Sequence, residues 1–144
     1  MIILECSSSL GNVESLVKAS RRLGNVLLLA SLKDRTEKEL QACFALARKA
    51  FKSKTNISQN FANEAMLFLA KETNFSSAVK KIGASSPAKF FLVAEKKIPL
   101  KKIRNALLLT YVKRVSLPLW GKREGRYFEA ELSIEAMALR RISD

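Results

Sequence analysis

Short apolar runs alternate with segments of helical period along this chain, and that alternation limits it to a mixed architecture of strands and helices. Ile2-Ile3-Leu4, residues 26–32 and the Phe90-Phe91-Leu92-Val93 run have the length of core strands. Between them apolar side chains recur at three- and four-residue steps. Leu10, Val13, Leu16 and Val17 set the first such stripe and predict a helix over about residues 12–22, ended by Gly24, which adopts positive φ without steric cost.

The clearest helix start is Thr36-Glu37-Lys38-Glu39, a capping box in which the Thr36 hydroxyl accepts from the Glu39 N–H while the Glu39 carboxylate reaches back. Leu40, Cys43, Phe44, Ala47 and Phe51 then form one apolar face. Ser58 or Asn60 caps a third helix that ends near Lys71 and is apolar around most of its circumference, so it reads as the central, most buried one. Thr73 or Asn74 caps a fourth, with Phe75, Ala78, Val79 and Ile82 as its stripe and Gly83 at its end.

Beyond a Ser85-Ser86-Pro87 loop and a strand over residues 89–95, Pro99 suits the first turn of another helix, with Leu100, Ile103, Ala106 and Leu107 at helical spacing. Residues 112–117 read as a further strand, which Pro118 confines to an edge or to its own end. Residues 121–125 form a turn-rich basic loop, and Ser133 caps a last helix through about Ile142. The expectation is a single mixed domain over residues 1–144, α/β or α+β, with a small sheet and several helices. Strand direction is left open.

Charge narrows the partner. Twenty-six Lys and Arg against thirteen Asp and Glu give a net charge of +13. Residues 41–126 hold eighteen of the cations and only four of the acids, whereas residues 127–144 hold two cations and four acids. A domain this basic attracts polyanions, because each phosphate it neutralises releases condensed counterions. The plainer reading is a Lys-rich solvated surface.

Several chemistries lack their residues. The chain has no histidine, and Cys6 and Cys43 alone do not make a zinc site, so neither a metal nor a cofactor is expected. Both cysteines fall in apolar patterns and read as buried thiols in a reducing compartment, with a disulfide between them as the other reading. No phosphate-binding or dinucleotide-binding glycine motif occurs. Glu64, Glu129 and Glu131 are the acids an RNA-processing or RNA-modifying enzyme would have to use, and that reading stands as the alternative, beside a general basic RNA-binding protein. No apolar run reaches the length of a membrane span and the N-terminus lacks a basic leader, so a non-enzymatic cytoplasmic protein is expected.

The stretch from Glu64 through Leu69 to Asn74-Phe75-Ser76-Ser77-Ala78-Val79-Lys80-Lys81-Ile82-Gly83 resembles the kinase-binding regulatory subunit of the KEOPS complex, the PRPK-binding protein family. The shared features are a glutamate opening an apolar helix, a polar break at residues 71–73, and a small helix with an alanine, paired lysines and a glycine. Ala47 and Ala50 upstream and the strand at residues 90–94 downstream extend the similarity to about residues 40–95. The resemblance implies a subunit that does no chemistry. It implies binding to the atypical Bud-type kinase/ATPase, an indirect link to the threonylcarbamoyl transferase, and recruitment of tRNA by its 3′ CCA end.

On that reading Arg48, Lys49, Lys52 and Lys54 are the expected tRNA-binding residues, with Lys80 and Lys81 as a further basic pair. Met137, Leu139, Arg140 and Ile142 of the acid-leaning last helix are the expected kinase contacts, with the apolar side chains in the interface core and Arg140 at its rim.

Overall fold

The structure, a computed structural model, describes residues 1–119 together with Ile134 and Met137. Its elements run β1 (Ile2–Ser8), α1 (Val13–Ser20), a 3-10 turn (Arg21–Leu23), β2 (Val26–Leu29), α2 (Glu37–Lys52), α3 (Phe61–Ala70), α4 (Phe75–Ile82), β3 (Phe90–Ala94), α5 (Leu100–Leu107) and β4 (Leu109–Arg114). The mixed fold with a small sheet and several helices is the one the alternation implied, and the strands pair antiparallel in the order β2-β3-β1-β4. The chain groups into two compact units, one formed by Met1–Leu32 with Ile82–Ser116, the other by Lys33–Lys81 with Leu117–Asp144.

The first unit is the sheet with one helical layer. Register places Ile2, Val26 and Ala94 side by side at one end of the sheet, and Ser8 beside Leu109 at the other. Alternation along the strands turns Ile2, Leu4, Cys6, Val26, Leu28, Phe90, Leu92 and Ala94 to one face. There they form a buried cluster with Leu16 of α1, Leu23 of the 3-10 turn, and Ile103 and Leu107 of α5. The outer edge of β2 does not stay open. Its backbone exchanges hydrogen bonds with residues 82–84, Ala84 N–H to the Leu28 carbonyl and Ala30 N–H to the Ile82 carbonyl, each at 3.1 Å.

The second unit is built on α2 and α3. Thr36 caps α2 as expected, its hydroxyl accepting from the Glu39 N–H at 3.3 Å. Two more orphan amides of the first turn find carbonyls far along the chain: Glu37 N–H donates to Pro118 at 2.9 Å and Lys38 N–H to Leu119 at 3.2 Å. Pro118 and Leu119 therefore serve as a backbone cap on α2. Asn60 caps α3, and every residue from Glu64 to Ala70 is buried, which makes it the central helix the composition predicted.

Some boundaries differ from the sequence reading. The strand expected at residues 112–117 begins at Leu109, because Leu108 turns left-handed at φ 49° and ends α5 at once. β4 is an edge strand, one of the two placements that Pro118 allowed. Cys6 and Cys43 are both buried free thiols. Burial, reinforced by the neighbouring Glu5 carboxylate, pushes the Cys6 thiol up to about 12. Among the described residues, no helix is long and apolar enough to cross a membrane.

Candidate nucleic-acid interface

α2 is amphipathic to its last turn. Leu40, Cys43, Phe44, Ala47 and Ala50 are buried, and the opposite face presents Arg48, Lys49 and Lys52 to solvent. Steps of three and four residues put Lys49 and Lys52, and Arg48 and Lys52, on neighbouring turns of that face. Lys49 and Lys52 in the last turn also complement the negative end of the helix dipole.

Lys54 is placed by how α2 stops. Thr55 N–H donates to the Ala50 carbonyl at 2.9 Å and Lys54 N–H to the Phe51 carbonyl at 3.2 Å, the paired bonds of a Schellman ending. The residue at its left-handed position, usually glycine, is Lys54, at φ 58°. The exposed side chain of Lys54 thus leaves the end of α2 directly beyond Lys52.

The loop that follows is held by Glu64, one of the three acids considered for an RNA-processing or RNA-modifying enzyme. It is fully buried, and its Oε1 accepts from the Ile57 N–H at 3.0 Å and the Ser58 N–H at 2.8 Å. Phe61 at the start of α3 stacks on Phe44 at 6.3 Å between centroids and meets Phe51 at 6.0 Å. Phe51 and Phe61 are half-buried, and Ile57 is largely exposed. The basic end of α2 therefore borders partly exposed aromatic and aliphatic carbon.

The same contacts fix the sense of the α2–α3 pair. The start of α3 meets the end of α2 through the phenylalanines. At the other end, Lys71, just past α3, feels the charges of Arg35 and Glu39 at the start of α2. The helices are antiparallel, so the six sequence-predicted cations do not form one patch. Lys81 reaches the end of α3 remote from Lys54: its Nζ donates to the Ala70 carbonyl at 2.9 Å and lies 3.8 Å from Glu72. Ten residues of helix, a rise of about 15 Å, separate the two places. Lys80 is exposed beside Lys81.

Around the end of α3 cations outnumber acids. Arg35 pairs with Glu39 at 3.3 Å. Burial, with the Arg35 guanidinium, holds the Lys71 ammonium below its usual range; Glu39 opposes that shift and Lys81 adds to it. Lys71 is itself the left-handed residue of a second Schellman ending, at φ 58°, with Glu72 N–H on the Leu67 carbonyl and Lys71 N–H on the Phe68 carbonyl, each at 3.0 Å.

Of the expected kinase contacts, Met137 is helical and fully buried within this chain, so its side chain already has packing partners here. Leu139, Arg140 and Ile142 lie outside the described residues, as do Glu129 and Glu131. Among the described residues, no group of His, Cys, Asp and Glu has the grouping of a metal site. No protein-family model matches the chain, and comparison with curated proteins gives no match.

Proposed function

We propose that this chain is a non-catalytic accessory subunit of a KEOPS-type tRNA-modification complex, binding tRNA and the atypical kinase/ATPase subunit. The observation that carries the tRNA half is the exposed cationic face formed by Arg48, Lys49 and Lys52 with Lys54 beyond it, at the end of a helix capped at both ends. Phosphates are attracted there by charge. Half-buried Phe51 and Phe61 and exposed Ile57 supply the apolar border that unpaired nucleotides, such as a 3′ CCA end, use for stacking contacts.

The kinase half rests on the resemblance. Its segmentation, an apolar helix opened by glutamate, a polar break and a short helix with paired lysines, corresponds to α3, residues 71–74 and α4. Isolation of the chain from its native cell tests both halves together. It should bring down tRNA, a small kinase and a threonylcarbamoyl transferase. Turnover of purified RNA by the chain alone, without those partners, would instead favour an RNA-modifying or RNA-processing enzyme.

A further inference from the structure

The helical layer of the first unit carries a larger cationic surface than the one just described. β1 leaves the sheet at the end where Ser8 pairs with Leu109, and α1 carries the chain back to the opposite end, where β2 starts at Val26 beside Ala94. β3 finishes at Ala94, and α5 then runs the other way, from Leu100 to the start of β4. α5 packs against α1 and the 3-10 turn. The end of α1, the 3-10 turn, the loop after β3 and the first turn of α5 therefore meet at one end of the layer.

Each of these pieces is basic. Lys18, Arg21 and Arg22 come from α1 and the 3-10 turn. Lys96 and Lys97 come from the loop, and Lys101, Lys102 and Arg104 from α5. All are exposed. Residues 15–33 and 96–114 contain no acidic side chain, and the loop after β3 opens on one acid, Glu95. Among the described residues, none of these cations takes part in an ion pair.

Folding does not account for this pattern. Lys101 and Lys102 occupy the first turn of α5, where positive charge works against the helix dipole, and no acidic residue accompanies them. Mutual repulsion among crowded like charges adds to that cost. The arrangement gains its stabilisation when an external polyanion is present.

The surface also says which polyanion. Insertion into a membrane interface uses large apolar side chains beside the cations. Among the described residues, the exposed large apolar side chains are Met1, Ile57, Phe75, Leu108, Tyr111 and Leu119. Met1 precedes Ile2 at this end of the sheet as a single such residue, and none lies in α1, the 3-10 turn, the loop after β3 or the first turn of α5. Binding of unpaired bases needs aromatic platforms, and residues 9–43 and 95–110 contain no Phe, Tyr or Trp. What is left is sequence-independent contact with the closely spaced phosphates of a double helix.

We infer that the α1–α5 end of the first unit is a second RNA-binding surface, which takes the phosphate backbone of duplex RNA. It rests on the reading of RNA as the chain's partner, and extends it from the unpaired end of a tRNA to its paired stems. The test compares the full chain with the exposed-site variant Lys101→Gln, Lys102→Gln, Arg104→Gln. Binding to a blunt-ended RNA duplex and to tRNA is measured over a series of salt concentrations. The variant should keep its melting temperature and lose about tenfold in affinity for the duplex at physiological salt, with a salt slope shallower by about 2 to 3. A variant with unchanged duplex affinity and salt slope, and with tRNA binding intact, would overturn the second surface alone. Duplex binding that depends on these residues, without any preference for tRNA, would uphold the surface and sink the tRNA-subunit reading. Loss of binding to vesicles containing phosphatidylserine, with RNA binding intact, would transfer the surface to membranes and overturn the inference.

Discussion

The Lys81 ammonium on α4 donates to the carbonyl of Ala70, the last residue of α3, at 2.9 Å. That carbonyl is one of the four at a helix end with no partner inside the helix, so Lys81 completes α3 from the neighbouring helix. Its neighbour Lys80 is exposed. Two adjacent lysines, equivalent as a charge pair in the sequence, thus have different work.

Lys81→Met should lower stability by about 1 kcal/mol, a charged hydrogen bond discounted for the half-exposed side chain. Lys80→Met should stay within about 0.5 kcal/mol of wild type, as exposed substitutions do. Chemical denaturation of both variants decides the matter, and equal effects would mean that the bond to Ala70 contributes nothing.

Glu64 gives a larger effect. Its carboxylate accepts two backbone N–H groups of the loop at Ile57 and Ser58 while fully buried. Glu64→Ala leaves both donors without that acceptor and should cost about 2–4 kcal/mol, whereas Glu64→Gln keeps one oxygen and should cost roughly half as much. Amide exchange at Ile57 and Ser58 should accelerate in the alanine variant. Protected amides there would show that another group holds the loop.

Helix starts were legible from the sequence because they depend on one local side chain. Thr36, Asn60 and Asn74 each accept from an amide three residues on, and all three were among the expected caps. Helix ends were less legible. Lys54, Lys71 and Leu108 hold the left-handed positions where glycine is the usual signal, and the misplacement of β4 follows from Leu108. The order β2-β3-β1-β4 joins residues far apart in sequence and leaves no local mark. Charge was legible as a quantity but not as a place. Only the antiparallel α2–α3 pair parts Lys81 from Lys54, and only the meeting of α1 with α5 gathers Arg21 and Lys101 at one end of a layer.

The left-handed lysines are open to improvement. Lys54→Gly removes the steric cost of a Cβ at φ 58° while keeping both backbone bonds of the helix ending. It should stabilise the protein by about 0.5–1 kcal/mol, and Lys54→Ala should not. A glycine variant less stable than the alanine one would show that the lysine side chain itself supports the turn.

Cys6 confers a dependence on alkaline pH. Its folded pKa of about 12 lies above the ordinary thiol value of 9.0, because burial, and then Glu5, disfavour the thiolate. The unfolded chain therefore loses its proton first. Stability from this group is fully present below pH 9.0 and is lost as pH rises toward 12, at up to about 1.4 kcal/mol per pH unit. Cys6→Ala should be less stable by about 1–2 kcal/mol at neutral pH, from lost packing. The gap should close and reverse between pH 9.0 and 12 in denaturation curves. A gap that stays constant over that range would mean the thiol titrates alike in both states.

Neutralising the end of α2 separates binding from folding. Arg48, Lys49 and Lys52 project from the face opposite Leu40, Cys43, Phe44 and Ala47, so changing all three to glutamine leaves the buried face intact. Lys49 and Lys52 do favour the helix dipole, and their loss should cost about 0.5–1 kcal/mol, a melting temperature lower by a few degrees with a cooperative transition. Binding of tRNA should fall much further, and its salt slope should be shallower by up to about 3, one for each phosphate contact removed. Trimming the CCA end of the tRNA should weaken wild-type binding, and should weaken the triple variant less, because the unpaired end and the cations share one site. If trimming costs both proteins the same factor, the cations at the end of α2 and the site for the unpaired end are independent, and the stacking role assigned to Phe51 and Phe61 must move elsewhere.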